Sequence, residues 1–120
     1  MIIITDSFYK KEFKSLKKYY TFDDLRNSIQ KTDVSSVNLS HLGYENGKLL
    51  KLRIANKVSG RMIVYIFNKG DVFVPIVLRL KKDKVLGENL ALNNKKAKDL
   101  ILKMMDLAMD DIKKERYEKI

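Results

Sequence analysis

Lysine and arginine at alternating positions are the residues of this sequence best suited to chemistry. Lys51 and Arg53 are separated by one residue in an alternating apolar segment, so both point to the same side of a predicted strand. Arg61 follows a short turn, and Arg79 and Lys81 end the next apolar run. Because clustered cations bind phosphate oxygens, three strands are predicted to supply one phosphate-binding patch. Alternating cations also solvate the open face of many sheets, and that interpretation stays open beside the first.

Other kinds of site are excluded by composition. The chain has no cysteine and one histidine, His41, so it can assemble neither a thiolate metal site nor a histidine-based triad. The net charge of +10 favours a polyanionic partner such as nucleic acid, an anionic membrane surface or an acidic protein. The excess lies between Lys51 and Lys84, where nine cations face two acids, whereas acids and bases balance between Glu88 and Glu118.

A run of three strands between helices predicts the fold class. Ile2 to Ile4 indicate a first strand, apolar residues at helical spacing follow, and Thr21 with Asp24 predicts a capping box that opens a second helix. Three strands come next, the last over Val72 to Leu80 with a bulge or an unpaired edge expected at Pro75.

A helix is predicted over about residues 93–117. We therefore expect one α+β domain over residues 1–120: an N-terminal strand and helical hairpin, a three-stranded antiparallel meander in a small twisted sheet, and a long C-terminal helix. The methionine-rich stripe from Met104 to Met109 suggests that this helix contacts a partner protein.

Three stretches resemble the RelE/HigB-like toxins of bacterial type II toxin–antitoxin systems, within the RelE/ParE superfamily. They are a basic first helix (residues 13–20), a K-x-R strand followed by a glycine turn and a second strand (residues 50–65), and a basic run after the last strand (residues 80–84). The resemblance covers roughly residues 1–90. It implies an antiparallel sheet flanked by a helical hairpin, and cleavage of messenger RNA on the ribosome, which inhibits translation.

The resemblance also implies roles for individual residues, in a reaction without metal or other cofactor. The ribose 2′-hydroxyl attacks the adjacent phosphate, Lys51 and Arg53 clamp that phosphate, and Lys51 is the candidate for proton transfer. Arg61 stabilises the transition-state charge. The residues implied to bind the RNA backbone are Arg79, Lys81, Lys82 and Lys84.

Two positions depart from the family pattern. An ungapped alignment on residues 63–65 places the family arginine at Met62, one residue after Arg61, and such a shift reverses the face of a strand side chain. No tyrosine or histidine follows the last strand as a general acid. The alternatives are therefore a ParE-like toxin that inhibits DNA gyrase and a non-catalytic RNA-binding relative. For the leading hypothesis, a toxin that cleaves messenger RNA on the ribosome, we expect a cytoplasmic protein. We expect it to bind an acidic antitoxin, the ribosome and messenger RNA, but no membrane.

Overall fold

A computed structural model of the chain describes residues 1–31, 47–67, 71–82 and 95–120, together with the backbone of residues 37–38. The described elements are β1 (Ile3–Thr5), α1 (Asp6–Phe8), a π-helical stretch (Tyr9–Phe13), a 3-10 turn (Lys14–Leu16), α2 (Phe22–Gln30), β2 (Val37–Asn38), β3 (Gly47–Ala55), β4 (Ser59–Phe67), β5 (Val72–Leu80), α3 (Lys95–Lys113) and β6 (Tyr117–Lys119). The α+β prediction is confirmed. His41 and Lys84 lie outside the described residues.

Strands β3, β4 and β5 form the predicted antiparallel meander, with β4 in the centre and β2 beside β3. The connection between β3 and β4 is residues 56–58, since Ala55 pairs directly with Ser59. Next to Pro75 the register between β4 and β5 shifts by one residue, so the bulge predicted there is confirmed. β1 pairs with β6, and Ile2 forms an isolated parallel bridge to Phe73 of β5.

Both faces of the sheet are covered by helices, which accounts for the buried run in β4. One face carries Leu52 and Met62 and packs against the N-terminal helical segment (residues 6–16) and α2. The other face carries Leu49 and Ile63 and packs against α3. Because side chains alternate along a strand, Lys51 and Arg53 share the α3 face with Leu49.

The predicted helical hairpin is present, although its first helix is irregular. Only three residues are α-helical before the backbone continues as π and 3-10 helix. The second helix has the predicted capping box: the Asp24 amide donates to the Thr21 hydroxyl (3.3 Å), and the Thr21 amide donates to the Asp24 carboxylate (2.8 Å). This reciprocal pair fixes the first residue of α2.

The C-terminal helix is shorter than predicted, because α3 ends at Lys113 instead of residue 117. Glu115 then adopts a φ of 58°, and the Arg116 amide donates to the Asp111 carbonyl (2.8 Å). The reversed chain forms β6, which the sequence did not predict, and β6 pairs with β1. Among the described residues, no helix is sufficiently long and apolar to cross a membrane.

The methionine stripe of α3 belongs to the core of this chain. Met104 is 3% exposed, Met105 is fully buried, and Met109 packs against the same cluster. The suggestion that this stripe contacts a partner is therefore wrong, since the sheet already covers it. The stripe packs in the same apolar cluster as Ile63, Val74 and Ile76 of the sheet.

Candidate nucleic-acid interface

Three arginines stand side by side across the meander. Arg53 of β3 is paired directly with Arg61 of β4, and Arg61 is paired directly with Arg79 of β5. Directly paired residues project to the same face, so all three belong to the face that also carries Lys51. We call Lys51, Arg53, Arg61 and Arg79 the cationic row. It lies at the end of the sheet next to the β3–β4 turn, beyond the apolar residues that α3 covers.

The strand register shows whether residue 61 or residue 62 of β4 shares a face with Lys51. Arg61 lies opposite Arg53, whereas Met62 lies opposite Leu52 and is fully buried on the other face. A side chain at position 62 therefore points away from Lys51. In this chain the arginine at position 61 is the one that shares a face with the K-x-R strand.

The helical hairpin fixes the turn beside the cationic row. The Tyr20 hydroxyl donates to the Val58 carbonyl (2.9 Å), the Asn56 amide group donates to the Asp24 carboxylate (3.0 Å), and the Ser28 hydroxyl donates to the Arg53 carbonyl. These contacts hold the backbone of the β3–β4 hairpin on both sides of the turn. The cations are consequently displayed on a rigid support.

Gly60 is required for this arrangement because it lies against Tyr20. A Cβ atom at position 60 would lie 2.5 Å from the Tyr20 hydroxyl and 2.8 Å from the Arg79 carbonyl. Residue 60 is a strand residue paired with Ile54, not part of the turn as the sequence suggested. The missing side chain lets the hairpin pack closely behind Arg61.

The positive charges of neighbouring side chains in the cationic row repel each other. Cβ atoms of directly paired strand residues lie about 4.5–5.5 Å apart, so Arg53 and Arg61 repel each other. Among the described residues, no carboxylate forms an ion pair with Lys51, Arg53 or Arg61. A bound anion is the simplest group that would relieve this repulsion.

The position of Lys51 in the row lowers its pKa. Burial lowers the pKa of its ammonium group, and the charges of Arg61 and Arg53 lower that pKa further. The larger cause is desolvation, because Lys51 is half-buried at the border between the row and the apolar cluster.

Arg79 is already engaged within the chain. Its guanidinium donates to both oxygens of Glu12, from Nε to Oε1 (3.0 Å) and from the terminal nitrogen to Oε2 (2.9 Å). Glu12 is 2% exposed and also accepts the Leu78 amide at the edge of β5 (3.0 Å). Arg79 therefore joins the row to the N-terminal helical segment, and its positive charge is compensated.

The remaining predicted RNA-binding residues are only partly described. Lys81 and Lys82 directly follow β5 with exposed side chains, and the Lys81 amide donates to the Ser59 carbonyl (2.9 Å). Lys81 therefore continues the pairing of β5 with β4 by one residue. Lys84 lies outside the described residues.

Tyr20 is the tyrosine whose pKa responds to the charge of Arg61. Burial and the Asp24 carboxylate raise the pKa of Tyr20, and Arg61 opposes them. Its side chain is 1% exposed and its hydroxyl is bound to the Val58 carbonyl. Tyr20 is thus a structural residue and does not replace the missing general acid.

The repulsion within the row predicts a stability gain on removing one charge. Arg53→Gln should raise the free energy of unfolding by about 0.5 kcal/mol at low salt, because the opposing Arg61 loses its like-charged neighbour. The gain should shrink in 1 M salt, which screens exposed charges. Urea denaturation measures both values, with Lys103→Gln on α3 as the matched control. A loss of stability at low salt would contradict the repulsion.

Comparisons with known proteins leave the chain without an assigned relative. No protein-family model, no curated protein and no solved structure matches it. The cationic row is therefore the feature of the described residues that points most directly to a function.

Proposed function

We propose that this protein is a metal-independent endoribonuclease that binds RNA through the cationic row, in the manner that its resemblance to the RelE/HigB-like toxins implies. The observation that carries the proposal is the direct pairing of Arg53 with Arg61 beside Lys51, with no carboxylate partner among the described residues. Backbone phosphates match this arrangement because a phosphate accepts hydrogen bonds from several donors at once.

In the proposed reaction the nucleophile belongs to the substrate. Neutral Lys51 takes the proton of the ribose 2′-hydroxyl, the 2′-oxygen bonds to the adjacent phosphorus, and the bond to the 5′-oxygen breaks. Water supplies the proton that the departing 5′-oxygen takes up, leaving a 2′,3′-cyclic phosphate and a 5′-hydroxyl. Arg53 and Arg61 stabilise the negative charge that develops on the phosphate oxygens.

Because the pKa of Lys51 is lowered, the proposed reaction predicts how the cleavage rate depends on pH. Since the base is the neutral amine, the cleavage rate should rise with pH and level off below the pH at which an ordinary lysine loses its proton. Arg53→Gln removes one of the charges that lower this pKa, so its rate profile should move to higher pH. Rates measured from pH 6 to 10, after subtraction of the Lys51→Gln background, test this. An unmoved profile in Arg53→Gln would argue against Lys51 as the base.

A second candidate, RNA binding without cleavage, is favoured by the burial of Tyr20. The described residues place no exposed tyrosine in contact with the row that could protonate the leaving group. Mapping of messenger RNA ends after induced expression separates the candidates: new 5′-hydroxyl ends indicate cleavage, and bound but intact RNA indicates the non-catalytic protein. Growth arrest without RNA binding would indicate the gyrase-inhibiting alternative.

The cationic row also suggests which molecules the protein binds. Ribosome-bound messenger RNA is the proposed substrate, and an acidic antitoxin is the proposed inhibitor, in the cytoplasm. The antitoxin would place carboxylates against Arg53 and Arg61, where they would offset the same repulsion as a phosphate. Copurification of a small acidic protein, lost in the charge-reversed Arg53→Glu variant, tests this partner.

A further inference from the structure

Ser59 lies on β4 just beyond the cationic row, next to the β3–β4 turn. It precedes Arg61 by two residues, so its side chain projects to the same face of the sheet as Arg61. The side chain is exposed, and among the described residues its hydroxyl has no hydrogen-bond partner. Its backbone is held from both sides, because Ser59 pairs with Ala55 of β3 and its carbonyl accepts the Lys81 amide (2.9 Å). A hydroxyl on a rigid strand is therefore available to a molecule bound at the row.

Lys51 and Ser59 lie on opposite sides of the Arg53–Arg61 pair. Lys51 is two residues from Arg53 along β3, away from the turn, and Ser59 is two residues from Arg61 along β4, towards the turn. The line that joins Lys51 to Ser59 therefore crosses between the two arginines. Antiparallel strands advance about 3.4 Å per residue, so the Cβ atoms at the ends of this line are about 14 Å apart. The long side chain of Lys51 spans part of this distance, which leaves room for a phosphodiester between the arginines.

The proposed reaction needs groups on two opposite sides of the phosphorus atom. In an in-line displacement the attacking and the leaving oxygen lie on opposite sides of phosphorus, so the base and the proton donor must also lie on opposite sides. Lys51 is the proposed base on one side of the arginine pair. On the other side, Ala55 has no polar side-chain atom, whereas Ser59 has a hydroxyl that can donate. Lys81 also carries protons, but it lies one strand farther away, outside the line.

We propose that Ser59 is a catalytic residue of this reaction and donates a proton to the leaving 5′-oxygen. As the 2′-oxygen bonds to phosphorus and the bond from phosphorus to the 5′-oxygen breaks, the Ser59 hydroxyl proton passes to the 5′-oxygen. A water molecule returns a proton to the Ser59 oxygen, and the hydroxide that remains takes back the proton that Lys51 removed from the 2′-hydroxyl. This inference rests on the proposed function, and it supplies the proton donor that the buried Tyr20 does not.

The test replaces the leaving oxygen with sulfur. A ribosome-bound messenger RNA with a 5′-bridging sulfur at the cleavage position releases a thiolate, which is a far weaker base than an alkoxide and departs without a proton. The variants are Ser59→Ala, which removes the hydroxyl, and Ser59→Thr, which keeps it. Ser15→Ala is the matched control, because Ser15 is an exposed serine on the N-terminal helical segment. Ser59→Ala should fold normally, since the lost hydroxyl has no partner among the described residues.

In single-turnover measurements, Ser59→Ala should cleave the all-oxygen RNA about 10²-fold more slowly, the lower end of what a positioned proton donor contributes. It should cleave the sulfur-containing RNA at the rate of the unmodified protein, and Ser59→Thr and Ser15→Ala should cleave both RNAs at close to the normal rate. Equal slowing of both RNAs by Ser59→Ala, or no slowing of either, would overturn the role of Ser59 and leave the proposed function in place. No cleavage of the all-oxygen RNA by the unmodified protein would overturn both.

Discussion

Replacing Arg61 with alanine should slow RNA cleavage by about 10²–10³-fold, the usual loss when one preorganised donor to a developing negative charge is removed. Arg61 lies between Arg53 and Arg79 on the central strand of the meander, at the middle of the cationic row. The change should leave the fold in place, since Arg61 is half-buried and, within the part of the chain that the structure describes, its side chain donates a hydrogen bond to the adjacent Gly60 carbonyl (3.1 Å). The measurement is single-turnover cleavage of ribosome-bound messenger RNA.

Three controls accompany this prediction. Lys51→Ala should show a loss in or near the same range, because it removes the proposed base. His41→Ala and Lys103→Ala should cleave at close to the normal rate, and a metal chelator should have no effect. Unchanged cleavage in both Arg61→Ala and Lys51→Ala, or complete loss of cleavage with the chelator, would falsify the mechanism.

Replacing Glu12 with glutamine should lower the free energy of unfolding by about 3 kcal/mol, the largest stability effect that we expect. The change leaves the Arg79 guanidinium without its bidentate partner in a mostly buried position, and breaking a buried ion pair typically costs about 3–5 kcal/mol. The lower end is expected because the Arg79 side chain is 28% exposed and water can reach it. Urea denaturation gives the value directly.

The matched control is the exposed ion pair between Arg26 and Asp23. Asp23→Asn removes a carboxylate that is well exposed, and exposed pairs contribute about 0–1 kcal/mol. A Glu12→Gln variant as stable as Asp23→Asn would show that the Glu12–Arg79 pair does not hold β5 against the helical segment.

Patterns confined to neighbouring residues predicted much of the fold and of the row. The alternation of Leu52 and Ile54 with Arg53 reflects the period of a strand, so the strand and its cationic side followed from spacing alone. The capping box at Thr21 and the irregularity at Pro75 were likewise predictable, because each depends on a few adjacent residues.

Features that depend on distant residues were not predictable in the same way. Glu12 lies among lysines in the sequence, and its buried contact with Arg79 joins positions 67 residues apart. Strand β6 has only three residues and exists because it pairs with β1 at the opposite end of the chain. The end of α3 was placed too late because the residue with positive φ is Glu115, where a glycine would have marked the end.

Only the pairing register of β3 with β4 could show that Arg61 and Lys51 lie on the same face of the sheet. From spacing alone, position 61 or position 62 could share the face of the K-x-R strand, since the length of the turn was unknown. The direct pairing of Ala55 with Ser59 fixes that length, and with it the pairing of Arg53 with Arg61. One residue more or fewer in the turn would have placed a methionine beside Lys51.

The most direct test of the central claim measures RNA binding by the row itself. Fluorescence anisotropy of a labelled 2′-O-methyl UUUU should be compared between Arg53→Gln with Arg61→Gln and the charge-matched Lys14→Gln with Lys103→Gln. We predict that the first variant loses most of its affinity and that the second keeps affinity close to that of the unmodified protein. Equal affinity in the two variants would contradict the claim that Arg53 and Arg61 form the phosphate site.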